Sequence, residues 1–225
     1  MAQLHIDLTY TWAALPRLLE GAFLTLQVAL ASMLVSLALG LALTLLRASG
    51  SRAAAAAVRV YISYVRGTPL LVQILLVYYL LPSIGIALPP LAAGITALGF
   101  QSAAFTSEIM RGGLSAIPKG QIEAAMSLGL RRVSIWRSVI LPQLYHLILP
   151  PVVNEFTLVI KATTLVSVIT VVEMMRVAQE IYNENYHPIE VLIGAGMIFI
   201  AMNFVLTRVA SQLEHMNTVK MGGRL

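Results

Sequence analysis

The sequence predicts an all-α integral membrane protein, a bundle of five transmembrane helices. Three observations carry that prediction. Hydrophobic residues make up 58% of the 225 positions and charged residues 11%, with a mean hydropathy of +0.83, whereas a soluble domain carries roughly 25% charged residues. Uncharged stretches recur that are long enough to cross roughly 30 Å of hydrocarbon. The basic residues also gather on alternate connections between those stretches, as the positive-inside rule requires of a membrane bundle.

Residues 1–19, with Asp7, Trp12, Pro16 and Arg17, read as a polar to interfacial leader. It lacks the basic start and early apolar core of a cleaved signal peptide. Span one follows from Gly21 to Leu46, without a charge. Arg47, Arg52 and Arg59 come next, around an alanine run (Ala53 to Ala57) that reads as a helical lead-in. From Gly67 to Ser107 the chain is again uncharged, too long for one crossing, and Pro82, Gly85, Pro89 and Pro90 interrupt it. Spans two and three are therefore expected near 60–81 and 89–110. A central basic stretch runs from Arg111 to Arg137.

Span four, near 139–160, contains Pro142, Pro150 and Pro151 together with His146, Asn154 and Glu155. Such a helix is expected to kink and to turn its polar residues toward the bundle. Ala162 to Val172 is too short to cross and reads as partly inserted or interfacial. Residues 173–190, with Glu173, Glu180, Glu184 and Glu190, read as an outer surface, ordinarily a solvated one and otherwise one that faces a partner protein, and Val191 to Thr207 supplies the centre of span five. A polar tail carries Arg208, Lys220 and Arg224. The whole chain, 1–225, reads as one transmembrane domain with a helical core over 20–212.

Orientation follows from placement of charge. With the N-terminus outside and the C-terminus cytoplasmic, only Arg17, Lys161 and Arg176 of the 15 basic residues fall on outer segments. The rest lie inside, so the multi-pass topology places the central basic stretch in the cytoplasm. The formal charge of +5 thus reports topology rather than affinity for nucleic acid.

Several chemistries are excluded or disfavoured. The absence of cysteine removes disulfides and Cys-based sites. His5, His146, His187 and His215 form no i, i+4 pair, so no metal site is expected. No G-x-x-x-x-G-K-[ST] loop occurs, so any work driven by ATP must come from a partner. No cofactor and no catalytic residue are expected.

The stretch Gln121 to Pro142, QIEAAMSLGLRRVSIWRSVILP, combines helical polarity, basic charge and a glycine break. Within a segment 115–138, Ser115 is expected to cap a helix that has Pro118 in its first turn. Glu123 lies early in that helix, where a carboxylate suits the dipole. Ala124, Ala125 and Ser127 are small enough to let another surface approach, and Gly129 permits a sharp change of direction. Val133, Ile135 and Trp136 form an apolar side opposite Arg131, Arg132 and Arg137. Two readings fit these features: an amphipathic loop lying on the inner leaflet, or a docking element for another protein.

The spacing Glu123-Ala124-Ala125, three residues, Gly129, nine residues, Val139-x-Leu141-Pro142 resembles the EAA loop of permease subunits in bacterial ABC importers, with Val139 in place of isoleucine. Arg66 to Gln73, RGTPLLVQ, is similar to a signature of the polar amino-acid uptake branch of those permeases. Ala103-Ala104-Phe105, Glu108, Arg111-Gly112-Gly113 and Ile117 to Gln121 resemble that branch's AAY..E..RGG...IPKGQ pattern, with Phe105 for tyrosine. Leu141-Pro142-Gln143, Asn154 and Lys161 to Leu165 resemble its LPQ, N and KDTSL elements, with Ala162 and Thr164 for the acid and the serine. The resemblance covers roughly residues 20–210.

It implies a type I importer permease of the methionine-importer-like fold, paired with a second permease subunit of the same or another kind. It also implies two cytoplasmic ABC ATPase subunits, a periplasmic or lipid-anchored substrate-binding protein and an amino-acid substrate. Gln121, Glu123, Ala124, Ala125, Gly129, Leu141 and Pro142 would then couple the permease to the ATPase through helices that drive alternating access.

An amino acid in such a pathway needs an acceptor for its ammonium and a donor for its carboxylate. Asn154 and Glu155, in an otherwise apolar span, are the first candidates, and Gln101, Ser102 and Thr106 with Gln73 are the next. Interhelical hydrogen bonding is the other reading for Gln73, Ser102 and Thr106, and an ion bridge to Lys161 is the other reading for Glu155. Glu108 is expected to pair with Arg111 along its helix; Tyr78 and Tyr79 are expected to anchor at an interface. The alternative to an importer subunit is a self-powered secondary transporter or channel, a reading that would favour internal repeats or an ionisable relay over several spans, whereas one clear mid-span carboxylate is seen.

Overall fold

The computed structural model describes residues 7–222, with side chains through residue 212. His5 and Arg224 lie outside the described residues, as do the side chains of His215 and Lys220. The described chain is built of helices, without a strand.

Helix α1 spans Leu8–Ala48, 41 residues, or about 60 Å at 1.5 Å per residue. It starts at Leu8 rather than Gly21, so the expected leader is helical. Asp7 caps it by accepting from the Thr9 N–H at 2.9 Å. What holds this charged first stretch in place is tertiary packing. Ala14, Leu18 and Ala22 share a core with Met174, Ala178, Ile181 and Val191, and Arg17 makes a two-pronged pair with Glu184 at 2.6 and 3.2 Å.

The expected second span is broken. Helix α2 (Arg52–Gly67) and helix α3 (Leu70–Tyr79) meet at a bend of 108° when α3 is taken through its terminal 3-10 turn at Ile84. Pro69 has no N–H to donate and forces Thr68 into an extended conformation, φ −118° and ψ 142°, which ends α2. Helix α4 then runs over Pro90–Ala116. It packs along α1 through small residues: a Cβ built on Gly99 would lie 2.6 Å from Val35 Cγ1, and one on Gly40 would lie 2.9 Å from Thr106 Cβ.

After α4 come the short helices α5 (Lys119–Ser127) and α6 (Arg132–Ile135), then α7 (Leu141–Ala162), which stays helical through Pro150 and Pro151. A 3-10 turn, Thr163–Ile169, continues it. The segment 162–172, expected to be partly inserted or interfacial, is in part core: Val166, Ile169 and Val171 pack with Val28, Ile74, Ala97 and Leu98. Helix α8 (Met174–Asn185) and helix α9 (Pro188–Gly222) complete the chain.

The acidic stretch 173–190 is not uniformly solvated as expected. Glu173 is 0% exposed because it caps α8, accepting from the N–H groups of Met175 and Arg176, each at 2.9 Å. Burial pushes its carboxyl up to about 6, against the pull of those two donors. Glu184, by contrast, is exposed, and the Arg17 guanidinium holds its carboxyl below the usual range.

Among the described residues three helices are long and apolar enough to cross a membrane: Leu8–Ala48, Arg132–Ile169 and Pro188–Gln212. The bent α2–α3 pair makes four if it is counted as one span. Helix α4 has the length of a crossing, but Gly94, Gly99, Gln101, Ser102 and Thr106 dilute its hydropathy.

Candidate functional site

Two places concentrate the residues singled out above. The first is the loop from α4 to α7. Helix α4 ends at Ala116, and Pro118 flanks α5 without a side-chain cap. Ser115 does not cap α5 as expected. Its hydroxyl donates to the Arg111 carbonyl at 2.9 Å, because α5 begins only after Pro118, beyond the reach of Ser115.

Helix α5 closes in a Schellman motif. Gly129, at φ +73°, donates to the Met126 carbonyl at 2.9 Å, and Leu130 donates to the Ala125 carbonyl at 3.2 Å. This turn explains the spacing in the sequence: the residue at left-handed φ must stand four positions after the residue whose carbonyl closes the outer ring. Ala125 also points inward, into a small core with Ile117, Ile135 and Ile140.

A single π turn, Trp136–Ile140, leads into α7. It lies just before Pro142, whose ring would crowd the carbonyl four residues back in a regular helix, and the wider turn relieves that contact. Gln143 Nε2 donates to Gln121 Oε1 at 2.7 Å and ties α5 to α7. The loop is therefore a folded unit and not a flexible tether. Its outward side carries Glu123 and Ala124, with Leu128 82% and Val133 78% exposed. The apolar side expected for Val133, Ile135 and Trp136 thus divides: Ile135 is buried, while Val133 and Trp136 face out. Leu141 and Pro142 are exposed at the start of α7.

The second place is a buried chain of hydroxyls ending on a carboxylate. Ser102 Oγ donates to Glu155 Oε1 at 2.7 Å, Ser36 Oγ donates to Ser102 Oγ at 3.0 Å, and Thr106 lies 2.6 Å from Ser36. These groups join α4, α7 and α1. Glu155 lines a cavity of about 110 Å³ with Gln101, Leu70, Phe105 and Leu158. Its second carboxylate oxygen has no hydrogen-bond partner among the described residues.

The structure thus brings Gln101, Ser102, Thr106 and Glu155 together. Asn154 points elsewhere, exposed on the next face of α7. Gln73 lies at the α2–α3 break, where its amide reaches the Val65 and Thr68 carbonyls and the Thr68 hydroxyl at 2.9 to 3.2 Å. Glu155 makes no ion pair with Lys161, which is exposed. Glu108 does pair with Arg111, at 2.6 Å, and also with Arg47, at 2.5 Å. Tyr78 and Tyr79 meet edge to face at 4.9 Å, with Tyr79 66% exposed. Among the described residues no group of three His, Asp or Glu side chains could hold a metal ion.

Ser36 was missed in the sequence. Its signal is the series Ser32, Ser36, Gly40, Thr44, one small or hydroxyl residue every fourth position along an apolar helix.

A membrane helix bundle with a folded loop between α4 and α7 and a polar cavity among its helices is built as a transport permease. A family model for the binding-protein-dependent transport system inner membrane component matches residues 35–216, and the chain belongs to that family. The octopine transport system permease protein OccM of Rhizobium meliloti is 39% identical over 92% of this chain and 89% of its own length. The arginine transport system permease protein ArtQ of Bacillus subtilis is 35% identical over 94% and 97%, and the glutamine transport system permease protein GlnP of Escherichia coli K12 is 33% identical over the same shares. A solved amino acid ABC transporter with histidines superposes with a TM-score of 0.86 at 33% identity, over 94% of this chain and 99% of the other. The methionine transporter MetNI in an inward-facing form shares the fold, with a TM-score of 0.74 at 17% identity over 89% of this chain and 96% of the other. The chain is an inner-membrane translocation subunit of an ABC importer and not itself an enzyme. Permeases of this family work with an ATPase and a substrate-binding protein.

Proposed function

We propose that this chain moves a polar amino acid, or a close relative of one, across the inner membrane by ATP-driven alternating access. It works as one of two permease subunits, on two cytoplasmic ATPases and beneath a periplasmic or lipid-anchored binding protein. The chain crosses five times, through α1, the bent α2–α3 pair, α4, α7 and α9, with the N-terminus outside and the C-terminus in the cytoplasm. The positive-inside count supports that orientation, and the permeases named for octopine, arginine and glutamine support the substrate class.

The observation that carries the coupling role is the loop 117–143 as a rigid body. Its own small core, its Schellman closure and the Gln121–Gln143 bond let it be pushed as a unit, and α7 passes the displacement to the bundle. Glu123, Ala124, Ala125 and Gly129 shape the surface that meets the ATPase. Inside the bundle, Glu155 accepts the substrate ammonium beside Gln101, and Ser102, backed by Ser36 and Thr106, holds the Glu155 carboxylate in place. Asn154 and Gln73 act at the edges of this path, Asn154 toward the second permease and Gln73 at the α2–α3 bend.

Glu123→Lys and Gly129→Asp, each assembled with the ATPase, test the coupling role. ATP hydrolysis is expected to continue while substrate uptake is lost. Undiminished ATP-dependent uptake by both variants would overturn the assignment.

A further inference from the structure

We propose that the cleft between α1, α2 and α4 is a binding site for the phosphate headgroup of an anionic membrane lipid. The cleft holds about 610 Å³ and is lined by Arg47 of α1, Arg59, Ser63 and Arg66 of α2, and Glu108 of α4. Arg52, Arg59 and Arg66 recur every seven residues, nearly two helical turns, so they align along one face of α2. Val58, Ile62 and Val65 occupy the face turned to the core. A third face is exposed and apolar, with Val60 at 69% and Tyr64 at 51% exposure.

The charges in the cleft do not balance. Glu108 is spent on Arg47 at 2.5 Å and on Arg111 at 2.6 Å. Arg59 and Arg66 have no acidic partner among the described residues, and Arg66 instead lies 6.0 Å over the Phe105 ring. Two guanidiniums facing one cleft repel each other, and a phosphate relieves that repulsion by accepting forked bonds from both. The Glu108 carboxylate, held in its two arginine pairs, leaves the site cationic.

The apolar strip beside the arginines decides the source of the phosphate. A lipid held by its headgroup lays its acyl chains along Val60 and Tyr64, with the tyrosine at headgroup depth. A free anion makes no use of that strip. Placement in the inner leaflet rests on the orientation proposed above.

The test uses the complete importer complex in nanodiscs of phosphatidylcholine, with and without phosphatidylglycerol, and reads retained lipid by native mass spectrometry. The wild type is expected to retain phosphatidylglycerol selectively. Arg59→Gln with Arg66→Gln is expected to lose it by about tenfold or more, at roughly one basic contact's worth per side chain. Arg59→Lys with Arg66→Lys, which keeps the charge but not the forked geometry, is expected to retain an amount between those of the wild type and the glutamine pair. Equal retention by the wild type and the glutamine pair overturns the site. So does full displacement of the lipid by millimolar inorganic phosphate, which would mark a free-anion site. A single cysteine, Ser49→Cys, in a chain that has none otherwise, tests the leaflet separately. Labelling by an impermeant maleimide from the cytoplasmic side alone supports it, and labelling from outside alone overturns the inner-leaflet assignment and the proposed orientation while leaving lipid retention to judge the site.

Discussion

Glu155 and Glu173 are both buried carboxylates, and their partners separate their roles. Glu173 accepts two backbone N–H bonds at the start of α8 and is used up as a cap. Glu155 accepts one hydroxyl and keeps an oxygen for the cavity it lines. The Glu173 carboxyl, raised by burial from 4.5 to about 6, binds protons in the folded protein at pH values where the unfolded chain has released them. Stability from this group is therefore full below about pH 4.5 and is lost as pH rises through about 6, by roughly 2 kcal/mol. Thermal unfolding in detergent at pH 5 and pH 7.5 checks this: Glu173→Gln is expected to narrow the difference seen in the wild type. Glu155 stood out in the sequence because a charge inside an apolar span is costly and rarely idle. Glu173 did not, because a carboxylate among four glutamates reads as solvated until the helix it caps is seen against α1.

At the scale of elements, local chemistry was legible where one residue dictates the backbone. Gly129 announced a turn and occupies left-handed φ; Pro69, unremarked in the sequence, breaks the second span by the same kind of rule. The beginning of α1 was not legible, since Pro16, Arg17 and Glu20 argue against an embedded helix and only contacts distant in sequence hold it. Gly21 is the closest of those contacts: a Cβ there would lie 2.8 Å from Met174 Cα, a backbone atom that cannot step aside. Gly21→Ala is expected to destabilise the bundle by about 1–3 kcal/mol through overpacking, read as a lowered unfolding midpoint. An unchanged midpoint would mean that α8 sits farther from α1 than described. The loop between α4 and α7 lies between these cases. Its Glu-Ala-Ala and glycine spacing was visible, while the π turn and the Gln121–Gln143 tie needed the folded chain.

For the whole molecule, composition sufficed to recognise a membrane bundle, and charge placement supports the orientation proposed above. The uncharged run placed a span near 89–110, where α4 lies, but did not show that this helix brings Ser102 to Glu155 and Thr106 to Ser36. The same small residues that dilute its hydropathy let α1 and α4 approach closely. Transport as proposed needs both ends of this arrangement: a loop stiff enough to be driven and a polar cavity that the drive can open. The most direct measurement is uptake of labelled amino acid into proteoliposomes, made once with this chain alone and once with the complete complex of permease, ATPase and binding protein. Uptake only by the complete complex, and only with ATP, is the predicted result. Movement of solute down its gradient by the chain alone, without ATP, would contradict it.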